Sequence, residues 1–116
     1  MTVHSETFDV VVYGSTGAGI AAAVSAARKG QRVALVEYQR HLGGMSSSGL
    51  GKADVETRGA IGGLFREFVE RIESHYARTY GPEHPNVKLC DGGYYYEPSV
   101  AERVLGRGDT KGSVLL

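Results

Sequence analysis

Residues 8–37 read FDVVVYGSTGAGIAAAVSAARKGQRVALVE. Apart from Asp9, Phe8–Tyr13 is a run of β-branched and aromatic residues, the composition of a strand buried on both faces in a parallel sheet. Three glycines, Gly14, Gly17 and Gly19, interrupt it. Ala18–Lys29 follows with high helix propensity, and Gly30 stands just past its basic end, where helices stop. Arg32–Val36 is again a strand pattern. Strand, glycine turn, helix and strand within about 30 residues form one βαβ unit, which requires parallel strands.

The wider composition bounds what such a unit can serve. The chain has 116 residues, the size of one small domain. Thirteen basic side chains balance thirteen acidic ones, so no charge excess argues for nucleic acid or for a disordered acidic tail. Seventeen glycines are about twice the ~7% average share, and they cluster without a period. Cys90 is the single cysteine, which excludes an internal disulfide and makes a reducing compartment the default. Residues 1–7, MTVHSET, have no apolar core of a signal peptide, and no apolar stretch is long enough to span a bilayer. We therefore expect a soluble, cytoplasmic protein.

The glycine turn has the makings of an anion cradle. In the G-x-G-x-x-G pattern, the first glycine allows a tight turn. The second lets backbone approach a pyrophosphate, and the third lets helix pack closely on strand. Gly14 and Gly19 fit the outer positions, but Thr16 holds the middle one. Gly17 beside it restores room, and the Thr16 hydroxyl is a candidate phosphate ligand. The helix start adds free N–H groups and a positive dipole end. Glu37 ends the second strand 18 residues beyond Gly19, near the ~20 expected of an acid that binds a ribose 2′-OH. The competing reading is a plain turn followed by a surface glutamate.

Beyond Glu37 the pattern changes. Tyr38–Asp54, YQRHLGGMSSSGLGKAD, has four glycines and a serine triplet. A flexible linker would read similarly, but Leu42, Met45 and Leu50 are apolar anchors that linkers lack. Ile61–Tyr80 is an amphipathic helix: Ile61, Leu64, Phe65, Phe68, Val69, Ile72 and Tyr76 recur at three- and four-residue spacing. Glu67 and Arg71 make an i,i+4 pair, and Gly81-Pro82 stops the helix. Pro82, Pro85 and Asn86 mark a turn-rich segment, and Asp91-Gly92 suits a hairpin. Ser99–Leu105 starts a further helix, with Ser99 as cap and Glu102 at capping-box spacing. After Leu105 the character shifts to GRGDTKGSVLL, and we expect the natural sequence to end or be altered near Gly106.

Taken together, DVVVYGSTGAGIAAAVSAARKGQRVALVE, RHLGGMSSSGLG and YYYEPSVAERVL resemble the FAD-dependent oxidoreductases of the glutathione-reductase-like, two-dinucleotide-binding superfamily. Within it, the likeness is to the xanthan-lyase-like FAD-dependent oxidoreductases. It extends roughly over residues 7–105. The resemblance implies an incomplete Rossmann-like α/β FAD-binding domain with a parallel sheet over residues 1–105, and an atypical tail over 106–116. It implies FAD as cofactor and an unknown organic substrate exchanging hydride or electrons with it. Gly14, Ser15, Thr16, Gly17, Ala18 and Gly19 would hold the pyrophosphate. Glu37 would bind the adenosine ribose, with Tyr38, Gln39 or Arg40 near the adenine or ribose. Gly43, Gly44, Met45 and Ser46 would bring backbone towards the pyrophosphate and flavin. Thr16 departs from the usual middle glycine, and Gly17 stands where proline is frequent.

Other chemistry-bearing residues fit plainer roles. Cys90 has no partner for a redox dithiol, His41 reads as a partly exposed loop residue, and Tyr94–Tyr96 as a strand edge with packing aromatics. His75, His84 and Cys90 lack metal-ligand spacing. The Arg107–Asp109 tripeptide RGD is read as coincidence. No catalytic acid or base stands out. A small NAD-binding Rossmann module and a non-enzymatic α/β interaction module are the alternatives to a flavin-enzyme fragment.

Overall fold

A computed structural model describes residues 2–106 and 114–115. The βαβ unit is present. Strand β1, Val10–Tyr13, pairs in parallel with β2, Val33–Val36, with Val10 opposite Val33 and Tyr13 opposite Val36. Helix α1, Gly17–Arg28, connects them. Its buried face is Ile20, Ala23, Val24 and Ala27. The small residues let α1 lie close on Val33 and Leu35 of β2 and on the half-buried Val10 and Val12 of β1. A short strand β3, Val114–Leu115, pairs in parallel with the other edge of β2.

The expectation that Phe8–Tyr13 is buried on both faces is corrected. The strand starts at Val10, and Val11 and Tyr13 are exposed. Of the described elements, α1 packs on the β1 face formed by Val10 and Val12, and none covers the opposite one. Two-faced burial is found instead in β2, where Val33, Ala34 and Leu35 are all buried.

A second layer is helical. Helix α2, Gly63–Tyr80, buries Phe68, Val69, Ile72 and Tyr76, four of the residues whose spacing defines its apolar stripe. The Glu67–Arg71 pair forms at 2.7 Å, and Glu67 also binds Arg28 of α1, which ties the two layers. Segment 82–89 is not merely turns. Pro85–Leu89 is a one-turn helix, α3, with Pro85 at its start and the His84 ring accepting the Asn86 amide. Proline is tolerated there because the first helical N–H has no intrahelical partner anyway.

Asp91-Gly92 turns the chain but makes no hairpin. The turn runs from α3 into a single antiparallel bridge between Tyr95 and Lys52. Tyr94 and Tyr96 are buried and Tyr95 is exposed, the alternation of a strand edge. Cys90 is buried, its thiol donating to the Val87 carbonyl, and burial pushes its pKa up. The last helix, α4, spans Pro98–Gly106. It begins before Ser99, so Ser99 is not its cap and the capping box does not form. The start is set instead by Pro98 and by Glu97, whose carbonyl accepts the Val100 and Ala101 amides. Leu105 of α4 packs against both hydrophobic clusters, the sheet–α1 core and the α2–α4 core. The altered tail and the RGD tripeptide read from the sequence lie, over 107–113 and at 116, outside the described residues.

Candidate functional site

The glycine turn sits where β1 hands over to α1. Gly14 takes a φ of +104°, open to glycine and strained for other residues. A Cβ built on Gly19 would overlap the Gly14 carbonyl oxygen and lie 3.2 Å from its carbon. That is the close helix-to-strand approach assigned to the third glycine of the pattern. Thr16, the departure from the pattern, is the N-cap of α1. Its Oγ1 accepts the Gly19 amide at 3.1 Å, while the Thr16 carbonyl accepts the Ile20 amide. The amides of Gly17 and Ala18 precede the first intrahelical bond and belong to the open positive end of the helix. The first turn carries no acidic residue that would compete with an anion.

Two segments distant in sequence close on this turn. Gly43 forms a parallel bridge with Thr16, its amide donating to the Ser15 carbonyl at 2.7 Å. Gly44–Ser46 then makes one turn of 3₁₀ helix. Ser46 Oγ would be 3.4 Å from a Cβ on Gly17, so the serine lies against the first turn of α1. This segment is therefore a seated loop and not a free linker, but of the three expected apolar anchors only Leu42 packs on the core, while Met45 and Leu50 are exposed. Met45, Tyr38 and Arg40 are exposed to solvent beside it, as are Thr16, Ala18 and Gly44.

Glu37 arrives from the end of β2. Its Oε2 accepts both the Ser15 amide, at 2.8 Å, and the Ser15 hydroxyl, at 2.6 Å, and its Oε1 accepts the Gln39 amide at 2.9 Å. Ser15 is fully buried. The acid thus ties the glycine turn to the second strand, a role that spacing alone did not reveal. The Ser15 hydroxyl first, then the Gln39 and Ser15 amides, lower its pKa to about 2. The sign follows from the depression. The tie is fully present above the usual carboxylate range and is lost as pH falls through about 2. We expect the Ser15 amide resonance to titrate with a midpoint near 2. A midpoint above 4, the ordinary carboxylate range, would show that Glu37 does not hold the turn.

The cradle fits a dinucleotide: a glycine turn closed to side chains, a helix start free of acids, a serine-bearing loop across it and an acid at the end of β2. His41, by contrast, is exposed beyond it, and its ring contacts Glu102 of α4. Glu102 escaped the sequence reading, which placed it in a cap.

The sequence comparisons agree with this geometry. A model of the family described as FAD dependent oxidoreductase matches residues 9–107. A soluble pyridine nucleotide transhydrogenase of Chromohalobacter salexigens is 57% identical over 44 residues. That match covers 38% of this chain and 9% of the relative.

Proposed function

The chain belongs to the FAD-dependent oxidoreductase family, with FAD as its cofactor, and from that premise we propose that its glycine turn, Glu37 and the Gly43–Ser46 loop form the FAD cradle of an oxidoreductase acting on a small organic molecule. The observation that carries the reading is the meeting of Gly43 with Thr16, which brings both glycine segments to one helix start. FAD, when bound, supplies the hydride and electron transfer. The chain's residues supply binding and orientation. The Gly17 and Ala18 amides offer two donors and a positive dipole end to the pyrophosphate. The Thr16 hydroxyl has its lone pair engaged by Gly19 and keeps its proton to donate to a phosphate oxygen. Glu37, ionised at neutral pH, accepts from ribose hydroxyls and repels a 2′-phosphate. Ser46, beside the first turn of α1, would lie near the pyrophosphate, while the exposed Tyr38 and Arg40 would offer an aromatic face and a cation to the adenosine.

The test is FAD binding by the full chain, followed by flavin fluorescence and thermal shift with NAD as competitor. Glu37→Ala removes the ribose acceptor and leaves the buried Ser15 hydroxyl without its partner. We expect FAD affinity to fall about 10- to 100-fold, the range for hydrogen bonds to a charged group. Tighter binding of NAD than of FAD would replace this reading with an NAD module. A folded chain that binds neither would make it an interaction module.

A further inference from the structure

We propose that Glu102, on α4, is a positioning residue for the cofactor: its carboxylate holds the start of the Leu42–Ser46 loop so that Gly43 stays seated on the glycine turn. The inference rests on the FAD-cradle reading above. Glu102 Oε1 accepts the Leu42 amide at 2.9 Å, and both oxygens lie 3.1 Å from His41 Nδ1. The next residue, Gly43, donates to the Ser15 carbonyl at 2.7 Å. Two consecutive amides are therefore held from opposite sides, one by α4 and one by the cradle. Packing follows the same line. Leu105, one turn beyond Glu102, fills the space beside Gly43, where an added Cβ would lie 2.6 Å from its Cδ1. The Ser47 hydroxyl donates to the Leu42 carbonyl and closes the loop on itself.

The carboxylate is well suited to this task. The Leu42 amide first, and His41 next, hold the Glu102 carboxyl below its ordinary range, so it is an acceptor at neutral pH. Helix α4 is itself secured by Val100 and Ala101 in the α2–α4 core. Glu102 thus connects the helical layer to the loop that bridges the glycine turn.

The experiment uses the full chain with Glu102→Ala and Glu102→Gln. Amide hydrogen exchange is followed by NMR without FAD, and FAD affinity is measured separately. Alanine removes the acceptor. The expected result is about tenfold faster exchange at Leu42 and Gly43 and about tenfold weaker FAD binding, the equivalent of one charge-assisted hydrogen bond. Glutamine keeps a carbonyl for the Leu42 amide and should restore most of both, while the Val69 and Ile72 amides in α2 stay protected throughout. Unchanged loop exchange in Glu102→Ala would overturn the proposal. So would faster loop exchange with unaltered FAD affinity, or a glutamine variant as impaired as alanine. Loop amides that respond as expected, in a folded wild-type chain that takes up no FAD, would support the clamp and overturn the cofactor reading.

Discussion

Gly19→Ala is expected to weaken FAD binding about a hundredfold, roughly 2.7 kcal/mol, and to lower stability by about 1–3 kcal/mol, the range for overpacking a tight contact. The reason is the identity of the neighbour. An alanine methyl at 19 would run into the Gly14 carbonyl, which is backbone and cannot swing aside. Helix and strand must separate, and the amides of Gly17 and Ala18 leave their place over the turn. Gly17→Ala is the control. Its methyl would meet only Ser46 Oγ, at 3.4 Å, and its backbone is already helical. That variant should fold as well as the wild type and lose affinity only to the extent that backbone must touch phosphate. Denaturation curves and FAD titrations on both variants separate the two glycine roles. A Gly19→Ala chain with wild-type FAD affinity would show that the turn does not cradle the cofactor.

The βαβ unit was legible because each of its signals is local. Strand propensity, Gly30 after a basic helix end and the three clustered glycines all act within a few residues. The same holds for the apolar stripe from Phe68 to Tyr76. What escaped were features set by partners far along the chain. Whether Val11 and Tyr13 are covered depends on what packs on the sheet, not on their own pattern. Glu102 satisfies the capping-box spacing, yet its carboxylate reaches a backbone amide 60 residues away. A polar side chain with two available acceptors goes where the strongest donor is, and spacing along one helix cannot say where that is. Helix α3 is short enough that turn residues and helix residues look alike in sequence.

The candidate site divides in the same way. Gly14, Gly19 and Glu37 follow from a pattern with a physical reason for each position. That the Gly43–Ser46 loop seats on Thr16 follows from no spacing, because its partners, the Ser15 carbonyl and Glu102, lie far along the chain. Thr16 is the instructive residue. It breaks the glycine pattern, yet the fold uses its side chain as the helix cap, so the substitution replaces a small backbone position with a stabilising bond.

Among the described glycines, Gly93→Ala should be the most destabilising single added methyl and should act away from the cradle. Gly93 lies in the turn after α3 with φ +89°, a left-handed conformation costing a side-chain-bearing residue about 1–2 kcal/mol. The added methyl would also overlap the Val69 carbonyl oxygen of α2 and lie 2.6 Å from its carbon. Val69 is buried in the α2–α4 core, so the helix cannot retreat without opening that core. Strain and overpacking together give about 3 kcal/mol or more. For a domain of this size that lowers Tm by roughly 10–20 °C. Since Gly93 has no place in the cradle, variant molecules that remain folded should bind FAD with wild-type affinity once the unfolded fraction is allowed for. A thermal melt within about 2 °C of wild type, half the shift that 1 kcal/mol produces at the low end, would mean that the turn does not press on α2. A large loss of affinity at full folding would mean that the helical layer reaches the cofactor through this turn as well as through Glu102.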